Sequence, residues 1–158
     1  MTEQDHVFMR RAIEVAQAGM QAGSGGPFGA VVVKNGKIIA EAHNQVLADQ
    51  DPTAHAEVLA IRRACQQLES FQLDGCVIYT SCEPCPMCLG AIYWARPRKV
   101  FFASTREEAA AIAFDDHFIY EELEKDISRR SIPFQQLPSE EARRLFQDWD
   151  DKQDKTRY

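Results

Sequence analysis

The sequence predicts an α/β layered domain built around a mixed sheet. Segments with strand character (30–33, 37–40, 76–80 and 99–103) alternate with segments of helical period. The first two flank Asn35-Gly36, a pair that tolerates the positive φ angles of a type I′ turn, so the sheet should open as an antiparallel hairpin. The chain's 158 residues, 45% hydrophobic and 27% charged, suffice for a single domain over 1–158 with its own core.

The elements follow in order. Between residues 5 and 20, Phe8, Ala12, Ile13, Ala16 and Met20 share a face, predicting an amphipathic first helix. A glycine-rich loop over 23–29 ends it before the hairpin. Asp51-Pro52-Thr53 reads as the entry to a helix running to about Leu68, with Thr53 as N-cap. Strand 76–80 leads to a helix opened by Pro86 and ending near Ala95. After strand 99–103, helical segments are expected near 106–111 and 119–125. A last strand is expected at 132–136, confined by Pro133 to an edge or a strand start. Ser139 is placed to cap a final helix through about Trp149.

Composition narrows the function. The formal net charge of −6 argues against a large nucleic-acid footprint, which needs clustered Lys and Arg. No apolar run is long enough to span a membrane, and the acidic, polar N-terminus does not resemble a targeting segment. Five cysteines, three of them within 82–88, point to thiol chemistry in a reducing compartment, so a cytoplasmic location is expected.

Chemistry concentrates in two short motifs. His55-x-Glu57 and Pro84-Cys85-x-x-Cys88 together match the H-x-E…P-C-x-x-C signature of zinc-dependent nucleobase deaminases. His55, Cys85 and Cys88 offer three ligands to Zn2+ and leave a fourth position for water, the mark of a catalytic rather than a structural site. Glu57 is the candidate proton shuttle. Residues two apart within a helix point roughly 200° apart, so His55 and Glu57 can share a site only at a helix start. Cys82 forms an overlapping C-x-x-C with Cys85. Pro84 and Pro86 favour the Cys85/Cys88 pair, leaving Cys82 as a small packed residue.

Further segments extend the pattern: GGPFGA at 25–30, DPTAHAEV at 51–58, TSCEPCPMCLGAIYWARP at 80–97 and FDDHFIY at 114–120. With them the chain closely resembles the bacterial guanine deaminases of the cytidine-deaminase-like superfamily, over nearly its whole length. That resemblance implies a three-layer α/β/α fold with about five strands. It implies hydrolysis of guanine to xanthine and ammonia, and a homodimer in which C-terminal segments, here about 139–158, can exchange and close the partner's site. Carried over by position, Phe28, Asn44, Asp116 and Tyr158 line the base pocket. A carboxylate at Asp116 can accept from guanine N1–H and the exocyclic amine; Asp115 or Asp116 could instead cap the following helix. Asn44 could read a carbonyl and a ring nitrogen, or serve as a turn residue. Phe28 could stack on the base or belong to the core. Trp94 and His117 are further candidates, each with a structural alternative. Isocytosine or ammeline, adenosine in tRNA, and a non-catalytic zinc module are the competing functions.

Overall fold

The computed structural model describes residues 1–158, which divide into two compact units, Met1–Asp116 and His117–Tyr158. In the first unit, helix α1 (Glu3–Gln21) starts at a capping box. The Thr2 hydroxyl accepts the Asp5 N–H at 3.2 Å, and the Thr2 N–H donates to the Asp5 carboxylate at 2.6 Å. Strands β1 (Gly29–Lys34) and β2 (Lys37–His43) form the expected hairpin, with Asn35 and Gly36 both at positive φ. A single helical turn, α2 (Val46–Asp49), precedes α3 (Ala56–Leu68). Strand β3 (Cys76–Cys82), α4 (Pro86–Ala95), β4 (Lys99–Ser104) and α5 (Arg106–Ala110) follow.

The sheet has four strands in the order β2-β1-β3-β4. β1 is antiparallel to β2 and β3, whereas β3 and β4, joined through α4, are parallel. Each face is covered. On one, Val31, Val33, Val77 and Tyr79 pack with Phe8 and Ala12 of α1. On the other, Ala30, Val32 and Ile78 pack with Ala56, Ala60 and Ala64 of α3 and with Ile92 and Ala95 of α4. This is the three-layer α/β/α arrangement. The Tyr79 hydroxyl donates to Asp5 Oδ1 at 2.7 Å and fastens the start of α1 to the middle of the sheet.

The second unit contains α6 (His117–Glu124), a 3-10 turn (Ile127–Arg129) and α7 (Glu140–Asp151), whose first turn is capped by the Ser139 hydroxyl accepting the Ala142 N–H at 3.2 Å. Leu145, Phe146 and Trp149 form an apolar stripe on α7 and are exposed. No helix is long and apolar enough to cross a membrane.

Three expectations are corrected. No fifth strand forms at 132–136. Pro133 has no N–H for a ladder, and the guanidinium of Arg130 lies 5.3 Å from the centre of the Phe134 ring instead. Thr53 does not cap α3: its N–H and its hydroxyl both donate to Asp51 Oδ1 at 2.7 Å, and the helix begins beyond this closed turn. On α1, Ile13 and Met20 are 46% and 47% exposed, and Val15 and Gly19 take the buried places. The His43 ring fills the space that a side chain at position 19 would need.

Gly29 marks a tight contact between layers. A Cβ there would lie 2.3 Å from the Ala12 carbonyl oxygen and 2.6 Å from the Ala16 nitrogen, both rigid helix backbone. Gly29→Ala is expected to cost roughly 1–3 kcal/mol through overpacking. A urea unfolding midpoint that does not move would contradict this.

Candidate active site

Two helices begin side by side, and each starts on a residue of metal-binding type. His55 is the N-cap of α3 and Cys85 the N-cap of α4, both with extended backbone and neither making a side-chain cap hydrogen bond. An N-cap side chain ordinarily satisfies the first amides of its own helix; here both point to a shared centre. Pro86 occupies the first turn of α4, where its missing N–H costs nothing, and Cys88 stands in that same turn.

His55 Nδ1 lies 3.6 Å from Cys85 Sγ and 3.4 Å from Cys88 Sγ, and the three atoms all fall within 4.8 Å of one another. A tetrahedral zinc ion with Zn–S near 2.3 Å and Zn–N near 2.0–2.1 Å separates its nitrogen and sulfur ligands by roughly 3.5 Å. The residues therefore fit the ion without rearrangement, with Nδ1 as the ligating nitrogen. The protons of the trio are already unevenly shared. Cys85 is held down at about 4, first by the hydrogen bond from Cys88 and then by His55, against its burial. Cys88 is pushed up by that same bond and by burial, and His55 is raised chiefly by Cys85. A cation at the centre would displace these protons.

Glu57, 6% exposed, sits beside the trio. The Thr80 hydroxyl donates to its Oε1 at 3.3 Å, and the Cys88 thiol lies 3.5 Å from Oε2. Burial, with the negative charge of Cys85 behind it, raises the Glu57 carboxyl above its ordinary range. Cys82 stands apart. Its thiol donates to the Thr105 carbonyl at 3.7 Å and is pushed up to about 11, first by burial.

A second cluster joins the glycine-rich loop to the end of β2. The buried Asn44 donates its backbone N–H to the Phe28 carbonyl at 2.9 Å, and its Oδ1 accepts the Val46 N–H at 3.2 Å. The turn role is thus present, with the side-chain oxygen engaged and the amide N–H groups making no hydrogen bond to the protein. Phe28 is half-buried and packs edge-on against Phe114, with ring centres 4.9 Å apart. Gly25 and Gly26 allow this. A Cβ at Gly25 would lie 2.0 Å from Asn44 Oδ1, and one at Gly26 would lie 2.8 Å from the Phe114 ring. The Ser81 hydroxyl accepts the Gly29 N–H at 3.0 Å and holds the loop to β3.

Beyond α5, Ala113 adopts a left-handed φ of 70°, and the Phe114 N–H returns to the Ala109 carbonyl. Asp116 follows, half-buried. Its carboxyl is raised first by burial and then by the charge of Cys85, and its own charge raises Cys82 in turn. Tyr158 ends the second unit, with its side chain exposed. Trp94 is 65% exposed on α4 rather than in the core. His117 opens α6, with Nε2 3.4 Å from Glu121. Sequence reasoning missed Thr80 and Phe114. The signal for Thr80 was present as the one hydroxyl on the face of β3 that carries Cys76 and Ile78.

Comparison with known proteins agrees with this geometry. The family model for the cytidine and deoxycytidylate deaminase zinc-binding region matches residues 2–104. The guanine deaminase of Bacillus subtilis (strain 168) is 56% identical over 96% of this chain and 97% of its own. The X-ray structure of guanine deaminase from Bacillus subtilis superposes with a TM-score of 0.95 at 54% identity, covering 100% of this chain and 99% of that one. A tRNA-specific adenosine deaminase of Aquifex aeolicus (strain VF5) is 34% identical over 90% of this chain and 91% of its own.

The two overlapping C-x-x-C units can be separated by metal analysis. Cys82→Ser should retain a full complement of zinc, whereas Cys85→Ser and Cys88→Ser should lose it. Zinc loss from the Cys82 variant would overturn the ligand assignment.

Proposed function

The chain belongs to the cytidine and deoxycytidylate deaminase family, and we propose that it is a guanine deaminase, converting guanine and water to xanthine and ammonia. The observation that carries this is its near-full-length likeness, in sequence and in structure, to the Bacillus subtilis enzyme. A tRNA-editing role is disfavoured by the acidic balance of the chain, a net −6, because holding an anticodon stem calls for clustered Lys and Arg.

We assign His55, Cys85 and Cys88 as the ligands of a resident zinc ion, supported by their spacing and by a donor set of one imidazole and two thiols. When bound, zinc lowers the pKa of water at its open position toward neutrality. Glu57 then serves as acid and base. It takes a proton from the attacking water, passes it to the ring nitrogen beside the guanine carbon that bears the amine, and helps protonate the departing ammonia. Its burial suits this work, because a carboxyl raised above its ordinary range is a stronger proton acceptor than an exposed one.

In this reading Asp116, as a carboxylate, accepts from guanine N1–H and the exocyclic amine. Adenine has no N1–H and would leave that carboxylate unpaired in a dry pocket. Asn44, with its oxygen held by Val46, donates its amide N–H groups to a carbonyl or ring nitrogen of the base. Phe28, backed by Phe114, supplies the stacking face. We further propose a cytoplasmic homodimer in which residues 139–158, ending in Tyr158, close a site. Five free thiols suit a reducing compartment, and the exposed Leu89, Tyr93 and Trp94 of α4 and the apolar stripe of α7 offer surface for a second copy.

The decisive test is ammonia release from guanine, adenine and isocytosine by the zinc-loaded protein. Guanine should exceed the others by orders of magnitude, and Glu57→Gln should keep its zinc while losing roughly 10²–10⁴ in kcat. An enzyme inert toward guanine would overturn the assignment. Asp116→Asn should cost guanine kcat/KM at least about 10²-fold. Because burial raises Asp116, the acid limb of the wild-type profile should lie above the ordinary aspartate range, activity falling as pH drops through it. Deleting residues 154–158 should lower turnover more than the unfolding temperature; full turnover in the truncated enzyme would remove the lid.

A further inference from the structure

We infer that Thr80 is a positioning residue for Glu57: its hydroxyl holds one carboxylate oxygen and thereby turns the other toward the metal-ligand trio. The inference rests on the deaminase reading for the role of Glu57, and on the geometry of β3 for everything else.

Cys76, Ile78 and Thr80 alternate along the face of β3 that meets α3, and all three are essentially inaccessible, Thr80 at 1%. Valine has the shape of threonine and would satisfy both the sheet and the core. A hydroxyl buried there without a partner is unfavourable, so its hydrogen bond must compensate for its burial. That bond runs to Glu57 Oε1 at 3.3 Å. Thr80 is itself pinned in the sheet centre between Ala30 on β1 and Phe102 on β4, and its branched side chain has little rotamer freedom.

The consequence falls on the two carboxylate oxygens. Oε1 is tied to the sheet, while Oε2 faces Cys88 at 3.5 Å, on the side of His55 and Cys85. Oε2, the oxygen nearest the trio, is thus the one that the sheet does not hold. Of the two side chains that donate to Glu57, Cys88 gives up its proton when it ligates metal, which leaves Thr80. A carboxylate freed from Thr80 could rotate and present either oxygen, or neither, in line with the reacting atoms.

The test uses the zinc-loaded full-length chain with Thr80→Val, Thr80→Ser and Thr80→Ala. Thr80→Val and Thr80→Ala should retain zinc and bind guanine with KM nearly unchanged. Their kcat should fall about 10–100-fold, the range seen for outer-shell partners of a metal site. Thr80→Ser, which keeps the hydroxyl, should recover most of that loss. Wild-type kcat in Thr80→Val, or an equal loss in Thr80→Ser, would overturn the inference. Thermal unfolding of Thr80→Val, Glu57→Ala and the double variant provides a readout independent of turnover. Midpoint shifts that fail to add support the contact, and additive shifts refute it. A wild-type protein inert toward guanine would sink the deaminase reading alone, and the unfolding cycle would still decide the Thr80–Glu57 link. If Thr80→Val does not fold, Thr80→Ala and Thr80→Ser carry the comparison.

Discussion

The meeting of two helix starts governs this molecule. α3 and α4 both begin at one end of the sheet, and their N-cap residues, His55 and Cys85, turn to each other rather than to their own amides. An extended N-cap resolves the angular problem that a His-x-Glu pair would face within a helix. His55 stands just outside the helix and Glu57 just inside it, so both side chains reach the cysteine pair. The amide ends of both helices also bring positive potential to a place where thiolates and a carboxylate must gather.

Around that junction, β3 distributes the remaining tasks residue by residue. Thr80 meets Glu57, Ser81 meets the Gly29 amide, and Cys82 meets the Thr105 carbonyl. The parallel β3–β4 pair brings α5 and the turn at Ala113 toward the same strand end, and Phe114 and Asp116 follow from it. The glycine-rich loop enters from β1. Its smallness at Gly25 and Gly26 reflects close approach to Asn44, Phe28 and Phe114 rather than unusual backbone angles.

Much of this was legible in the sequence, for identifiable reasons. The Asn35-Gly36 turn, the Ser139 cap and the Pro86 helix start are local signals, and each appears where local chemistry puts it. The clustering of His55, Cys85 and Cys88 was legible because spacing in C-x-x-C and H-x-E is set by short-range geometry. Where a competing local bond or tertiary packing decides, the sequence misled. Asp51 captured Thr53 in a turn and delayed α3 to His55. Gly19 won a buried place over Met20 because His43 needed the room. The strand expected at 132–136 had propensity, but Pro133 has no N–H to give a ladder and the segment stays irregular. Thr80 and Phe114 stood within the motifs but drew no role of their own, because their partners, Glu57 and Phe28, are distant in the chain.

The alanine face of α3 has a wider meaning. Ala56, Ala60 and Ala64 let the helix lie directly on the sheet, and the same rigid rod carries His55 and Glu57 at its tip. Interiors packed this densely transmit displacement rather than absorb it. A methyl group added two turns away would tilt the lever and shift His55 and Glu57 together. Hydrophobic core and reaction chemistry are therefore mechanically one part in this fold, and catalytic rate is a finer gauge of interior fit than melting temperature.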